Sequence, residues 1–205
     1  PLSLWSDVPV VLTGTQQHSC YMAEFNIDHC LVNSFSNHSH KKLDIADNSA
    51  NFPTDLSSYL FNIPQSHWPH LRELTDFELT DCHTLDIGSW GFVWINGDCE
   101  ITASTQVATQ SQPIILIVFN GRLVLQSDVT AYGLVFSLQQ PGSSAPVGIT
   151  MHSQALVQGY VIANYQLGIA GDNLRVVFNQ QVAEQLKQNI KLHRVARVPG
   201  SWRDF

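Results

Sequence analysis

Between Gly91 and Phe178 the chain is a series of short apolar runs separated by glycine and Asx residues. The runs are Phe92 to Ile95, Cys99 to Thr102, Ile114 to Phe119, Leu123 to Leu125, Gly133 to Phe136, Tyr160 to Ile162 and Leu174 to Phe178. Runs of this length, bounded by turn residues and rich in β-branched side chains, predict strands. Nearer the start, Val8-Pro9-Val10-Val11-Leu12 predicts a strand ended by Thr13-Gly14-Thr15. Pro9 has no amide proton to give to a ladder, so that strand belongs at an edge or begins after the proline. The polar, His-rich stretch that follows, through about Asn51, is expected to add little to the core.

The pattern changes to helical spacing between Pro53 and Asp81. Thr54 is a candidate N-cap ahead of Leu56, Tyr59 and Leu60. Ser66 is a candidate cap for a second helix, Pro69 is tolerable in its first turn, and Trp68, Leu71, Leu74 and Phe77 recur at near-helical intervals. Amphipathic helices of this kind are expected to lie over the end or flank of a β core. A last helix is predicted after Asn179, with Val182, Leu186 and Ile190 on one face.

A weak internal repeat runs through the strand region. Asn96-Gly97-Asp98-Cys99-Glu100-Ile101 aligns with Asn120-Gly121-Arg122-Leu123-Val124-Leu125, which sets Cys99 against Leu123 and Ile101 against Leu125. Ala131-Tyr132-Gly133-Leu134-Val135-Phe136 aligns with Val157-Gln158-Gly159-Tyr160-Val161-Ile162. Periods of this size signal stacked supersecondary units, in which equivalent positions of successive turns point inward together. The fold expected is therefore mainly β, a parallel β-helix with flanking or capping helices. A β-sandwich is the alternative, since regular short strands suit either architecture. The chain divides into an N-terminal strand and polar loop region (1–52), a helical segment (53–81), a β-helix core (82–178) and a C-terminal helix and tail (179–205), read as one domain.

With 44% hydrophobic and 13% charged residues, the chain has the apolar content to fold. Its formal charge of −7 gives no general attraction to phosphate backbones, so nucleic acid is not an expected partner. No apolar run is long enough to span a membrane. Because the sequence opens at Pro1 without a methionine, a leader or anchor upstream is left open, and membrane association is expected only through such a segment. The four cysteines, Cys20, Cys30, Cys82 and Cys99, contain no CxxC pair, which argues against zinc ribbons and redox motifs and favours export with disulfides. Four cysteines permit three connectivities. Short loop closure favours Cys20–Cys30 with Cys82–Cys99, and buried free thiols are the competing reading.

Little in the sequence points to catalysis. Among the nine histidines, His38/His40 and His67/His70 form close pairs, but His18, His29 and His83 are distant and a metal site needs three or four converging ligands. The main charges of the strand region are Asp98, Glu100, Arg122, Asp128, Asp172 and Arg175. A carboxylate pair such as Asp98 and Glu100 fits a glycosidase scheme only at a defined separation, and Asp98 facing Arg122 as a surface ion pair is the simpler account. GxSxG, P-loop and GxGxxG patterns do not occur. No catalytic, cofactor-binding or metal residue is assigned. Trp5, Trp68, Trp90 and Trp202 are candidates for a sugar-binding platform, each set against ordinary packing.

Five dispersed segments carry a family resemblance. They are Asp7-Val8-Pro9-Val10-Val11-Leu12, then Tyr59-Leu60-Phe61-Asn62-Ile63-Pro64 with Trp68, then Trp94-Ile95-Asn96-Gly97-Asp98-Cys99, then Pro113 to Gly121, and the ending Arg197-Val198-Pro199-Gly200-Ser201-Trp202 with Arg203-Asp204-Phe205. Together they resemble the PilX-type type IV pilus assembly proteins of Gram-negative bacteria. The resemblance implies a membrane-anchored or pilin-like protein whose periplasmic or extracellular part is a right-handed parallel β-helix. It implies a role in pilus assembly, priming or adhesion, with pilin or pilus assembly proteins as partners. It also implies that Cys82 and Cys99 clamp the entry to the first coil. The segment around His38, His40, Lys41 and Lys42 has no counterpart in it. The function expected is a non-enzymatic accessory component of a surface filament. A carbohydrate-binding adhesin with a surface glycan as ligand and a β-helix polysaccharide lyase or hydrolase are the alternatives.

Overall fold

The computed structural model describes residues 4–6, 16–21, 25–26, 29–30, 45–46, 49–165 and 173–188, with the backbone alone described for 173–174 and for the strands before residue 49. Among the described residues of the first part are β1 (Leu4–Trp5), β2 (Gln16–Tyr21), β3 (Phe25–Asn26), β4 (His29–Cys30) and β5 (Ile45–Ala46). Helices α1 (Leu56–Phe61) and α2 (Trp68–Glu73) follow, with a 3-10 turn, Gln65–His67, between them. Then come β6 (Phe77–Leu79), β7 (Gly91–Asn96), β8 (Cys99–Ile101), β9 (Gln106–Val107), β10 (Ile114–Phe119), β11 (Arg122–Leu125), β12 (Thr130–Leu138), β13 (Gly148–Met151), β14 (Leu156–Ala163), β15 (Asn173–Phe178) and α3 (Gln180–Gln188).

The protein is mostly β, and its two larger sheets are parallel throughout. The first runs in the order β2-β15-β14-β12-β10-β7-β6, with β9 paired to the start of β12; the second runs β13-β11-β8. Among the described residues the antiparallel pairing is confined to β3 and β4. Parallel pairing throughout is not the arrangement of an antiparallel β-sandwich, so that alternative is set aside. All seven sequence runs after Gly91 fall on strands of these sheets. The Val8 to Leu12 run lies outside the described residues.

The register agrees with both internal alignments. Leu123 pairs with Cys99 and Leu125 with Ile101, and on the other side Leu123 pairs with Ile149 and Leu125 with Met151. Gly133 pairs with Gly159, Leu134 with Tyr160, Val135 with Val161 and Phe136 with Ile162. Cys99, Ile101, Leu123, Leu125 and Met151 are all buried, and they share one core with Val93, Ile95, Ile114, Leu116, Val118 and Val135 of the larger sheet. Parallel stacking thus aligns equivalent apolar side chains along one interior.

Strand β10 is apolar at every position because both of its faces are covered. Ile114, Leu116 and Val118 enter the core against the three-stranded sheet. Ile115, Ile117 and Phe119 face a second cluster with Phe92, Trp94 and Phe136, which is closed by Leu56, Leu60 and Phe61 of α1, Leu71 of α2, and Val182 and Leu186 of α3. Ring stacking fastens this layer: Phe61 lies 5.7 Å from Phe92 and 6.0 Å from Phe136, and Trp68 lies 4.5 Å from Phe119, between ring centroids.

The caps differ in detail from the sequence expectation. Asp55, one residue beyond Thr54, caps α1: one carboxylate oxygen accepts from Ser58 N at 2.8 Å and the other from Gln65 N at 2.9 Å. A carboxylate can satisfy two amides where a threonine hydroxyl would serve one. No side chain caps α2, which grows directly from the 3-10 turn, so Ser66 has no capping role. Phe77 is in strand β6, not on the helical stripe. Asn179 does cap α3, its Oδ1 accepting from Gln181 N at 3.1 Å and Val182 N at 3.3 Å. Ile190 lies outside the described residues. The polar stretch after Thr15 supplies β2, whose backbone continues the large sheet beyond β15. Ladder bonds are made by the main chain, so a strand without apolar alternation can still extend a sheet.

Two local devices turn the chain between strands. Residues Ser104, Asp128 and Gln154 each take left-handed backbone, at φ 59, 61 and 61. Ser104 N donates to Ser127 O at 2.8 Å and Asp128 N to Ser153 O at 3.1 Å, so the same turn is stacked on itself. At Gly133 (φ +147) and Gly159 (φ +142) β12 and β14 bend, and an added Cβ would lie 1.9 Å from Ile114 O and 2.0 Å from Gly133 O respectively. Only glycine accommodates both the conformation and the approach.

Leu125→Asp is expected to destabilise by more than about 4 kcal/mol, because it buries an unpaired carboxylate in the stacked core. Val124→Asp, on the partly exposed face of the same strand, is expected to cost far less. Denaturant unfolding of the two variants compares them, and equal losses would contradict the inward assignment of Leu125.

Candidate interaction surface

Among the described residues, the charges singled out in the strand region do not converge on one site. Arg122 Nη2 lies 2.8 Å from Asp98 Oδ2, and Arg122 N donates to Asp98 Oδ1 at 2.8 Å, both at the exposed surface. The side-chain bond from Arg122, with its backbone bond next, holds the Asp98 carboxyl below the usual carboxylate range. A carboxyl stabilised as an anion is the opposite of what a general acid requires. Glu100 is on the outward face of β8 and accepts from Gln126 Nε2 at 2.6 Å. Asp128 is exposed at its left-handed turn, Arg175 is buried with Nη1 on Gln154 Oε1, and Asp172 lies outside the described residues.

The described histidines do not assemble a site either. His67 and His70 are exposed with ring centroids 5.7 Å apart, and His83 is exposed. Among the described residues no three His, Cys, Asp or Glu side chains come together in a way that could hold a metal ion. The side chains of His18 and His29, and all of His38 and His40, lie outside the described residues. Among the described residues no helix is long and apolar enough to cross a membrane.

Cys82 and Cys99 form a disulfide with their Cα atoms 5.1 Å apart. Cys99 begins β8, and Cys82 lies in the loop after β6, so the bond ties that loop to the first strand of the three-stranded sheet. Both cysteines are buried in the main core. The bond fits an oxidising compartment. The side chains of Cys20 and Cys30 are outside the described set.

The tryptophans separate by environment. Trp94 is fully buried and Trp68 packs on Phe119, so both serve the layer under the helices. The Trp5 side chain and Trp202 lie outside the described residues. Trp90 is different, at 52% exposed. Its ring meets Phe77 edge-on, with centroids 5.3 Å apart and an interplanar angle of 89°. Phe77 is 40% and Ile87 58% exposed, and these three are the large hydrophobic side chains left exposed among the described residues.

Phe77 and its partner Trp90 stand at β6, the terminal strand of the large sheet among the described residues, and Ile87 is three residues before Trp90 in the chain. Phe77 opens β6. Ile87 is at the tip of a turn closed by Ser89 N on Asp86 O at 3.0 Å, with Gly88 N on Asp86 Oδ1 at 2.8 Å. Asp76 Oδ2 accepts from Phe92 N at 3.0 Å and fixes β6 against the start of β7. Of the three, Trp90 is singled out by its residue type in the sequence, whereas Phe77 fits a helical stripe and Ile87 carries no separate signal. A pattern of apolar residues within an Asp-rich stretch, Asp76 to Trp90, was the available signal. Comparison with known proteins found no matching family model, no matching curated protein and no matching solved structure.

Removing the disulfide by Cys82→Ser with Cys99→Ser is expected to cost about 3 kcal/mol, the chain-entropy value for a loop of roughly this length; unfolding of oxidised, reduced and double-variant protein measures it. Burial pushes the Tyr160 phenol up to about 12, whereas an unfolded tyrosine ionises near ~10. Its contribution is therefore complete below about pH 10 and is lost as pH rises through the folded value. Stability measured along an alkaline pH series should fall across that window, and Tyr160→Phe should shallow the fall.

Proposed function

We propose that the chain is a right-handed parallel β-helix that acts without catalysis, as a structural or accessory component of a bacterial type IV pilus or related surface filament, through protein binding. The observation that carries this reading is the stacked register of Cys99 with Leu123 and Ile101 with Leu125, continued to Ile149 and Met151. It is the arrangement expected of successive coils around one apolar axis. Three strand positions recur in order along the chain, β7-β8-β9, then β10-β11 with the start of β12, then the rest of β12 with β13 and the start of β14. Right-handedness is the rule for crossovers between parallel strands of one sheet.

Such a body is stiff, because each coil is hydrogen-bonded and packed along its length to its neighbours. The disulfide at the entry to the first coil matches the clamp that the family resemblance implies, and it suits an exported domain. Coil charges that are paired or scattered favour a binding role over hydrolysis. A second reading, a carbohydrate-binding module, draws on one specific observation: the exposure of Trp90 beside Phe77.

The test pairs two assays on the same protein. Association with pilin subunits, and a change in filament number when the gene is deleted, are expected; a panel of acidic and neutral polysaccharides, with and without divalent metal, is expected to remain uncleaved. Turnover that disappears on substituting one acidic residue, with folding intact, would overturn the non-catalytic reading. Absence of any association with the pilus machinery in the intact protein would remove the filament assignment.

A further inference from the structure

Strand β6 closes one end of the large sheet. It pairs with β7 on one side, Phe77 with Val93, Glu78 with Trp94 and Leu79 with Ile95, and no described strand pairs with its other side. A terminal strand presents alternate amide and carbonyl groups outward, and native proteins normally blunt such an edge with charge and brevity. Here the edge is only three residues long and carries Glu78, whose carboxylate takes Arg72 Nε at 3.0 Å and Arg72 Nη2. Against that protection, two of the three exposed large hydrophobics of the described residues meet here, Phe77 on the strand and Trp90 in edge-on contact with it, and the third, Ile87, is on the turn three residues before Trp90. A cluster of this kind marks an interaction site, because single scattered apolar residues are the ordinary condition of a surface.

The chemistry of the surroundings selects the occupant. Glu78 is already answered by Arg72, while Asp81 follows the strand and Asp86 holds the turn that carries Ile87. A second copy would bring a net charge of −7 to this acidic rim, which opposes self-association. The two aromatic rings are perpendicular, at 89°, so they form a knob rather than a flat platform for a sugar ring, and Ile87 adds aliphatic surface. An open strand edge supplies main-chain groups that an extended peptide uses and a glycan does not.

We infer that the β6 edge, with Phe77, Ile87 and Trp90, is the docking surface for an extended, lysine- or arginine-bearing segment of a partner protein, which adds to β6 as a further strand. The inference rests on the protein-binding reading above and names its surface and the chemistry of its partner. The aromatic knob supplies apolar contact, the edge supplies hydrogen bonds, and the acidic rim selects a cationic strand over an anionic one.

The test titrates the full chain with a short synthetic peptide of alternating valine and lysine, by calorimetry and by amide hydrogen exchange. Binding is expected, with slowed exchange at β6 amides, weakening as salt is raised. Trp90→Ala and Ile87→Ser alter exposed side chains, so folding should persist, and each is expected to weaken binding by about tenfold or more, as truncation of an interface anchor does. A valine–glutamate peptide and a neutral N-acetylglucosamine oligomer should not bind. No binding of the lysine peptide, equal binding of the glutamate peptide, unchanged binding by both variants, or binding of the oligosaccharide alone would each overturn the inference. Pilin association of the wild type and Trp90→Ala separates the two levels. If pilin binds both equally, this surface falls and the scaffold reading stands; if pilin binds neither while the peptide behaves as expected, the surface stands and the pilus assignment falls.

Discussion

Everything else in this protein depends on keeping parallel strands in register so that apolar side chains stack. In a strand, successive side chains point to opposite faces, and a slip of one residue would reverse every one of them. Leu123 and Leu125 are buried because they pair with Cys99 and Ile101 on one side and Ile149 and Met151 on the other. Moving β11 by one position would carry Arg122 and Val124 inward and the leucines out. The cost of burying an arginine without a partner makes that slip strongly unfavourable. The register is therefore set by alternation along each strand and held by the neighbours on both sides.

The turns serve this constraint. Gly133 and Gly159 let β12 and β14 bend where a Cβ would strike the strand below, and the left-handed turns at Ser104, Asp128 and Gln154 reproduce one another from layer to layer. Buried polar side chains join the sheet to α3. Gln110 Nε2 donates to Asn179 Oδ1 at 3.2 Å, and Asn179 Nδ2 donates to Gln158 Oε1 at 2.9 Å. One asparagine thereby caps α3 and joins it to the loop before β10 and to β14. Satisfying these buried groups is what permits the helix to lie against the sheet without stranding polar atoms.

Covering both faces of the large sheet explains where the surface chemistry ends up. Helices α1, α2 and α3 absorb the apolar face that the three-stranded sheet does not reach, and the disulfide fastens the loop that leads into that smaller sheet. Among the described residues, the exposed aromatic pair Phe77 and Trp90 is left at β6, the last described strand of the sheet. The paired and dispersed charges of the flanks leave that end as the chemically distinctive region.

The strands themselves, and much of their order, were legible in the sequence, because short apolar runs between Gly and Asx turns depend on local pattern. The two alignments, Asn96 to Ile101 with Asn120 to Leu125 and Ala131 to Phe136 with Val157 to Ile162, even anticipated the pairing, since stacked positions must be filled by similar side chains. Asn179 as the cap of α3 was local in the same sense. Other features were decided only in three dimensions. Phe77 fits a helical stripe with Trp68, Leu71 and Leu74, but pairing with β7 drew it into a strand, since ladder bonds to an existing sheet outweigh a weak local preference. Asp55 rather than Thr54 took the cap because its second oxygen could reach Gln65, ten residues away. The polar strand β2 gave no apolar signal, yet its main chain extends the sheet. The exposure of Phe77, Ile87 and Trp90 was likewise invisible along the chain: exposure is a property of what is left uncovered after packing, and no local pattern encodes it.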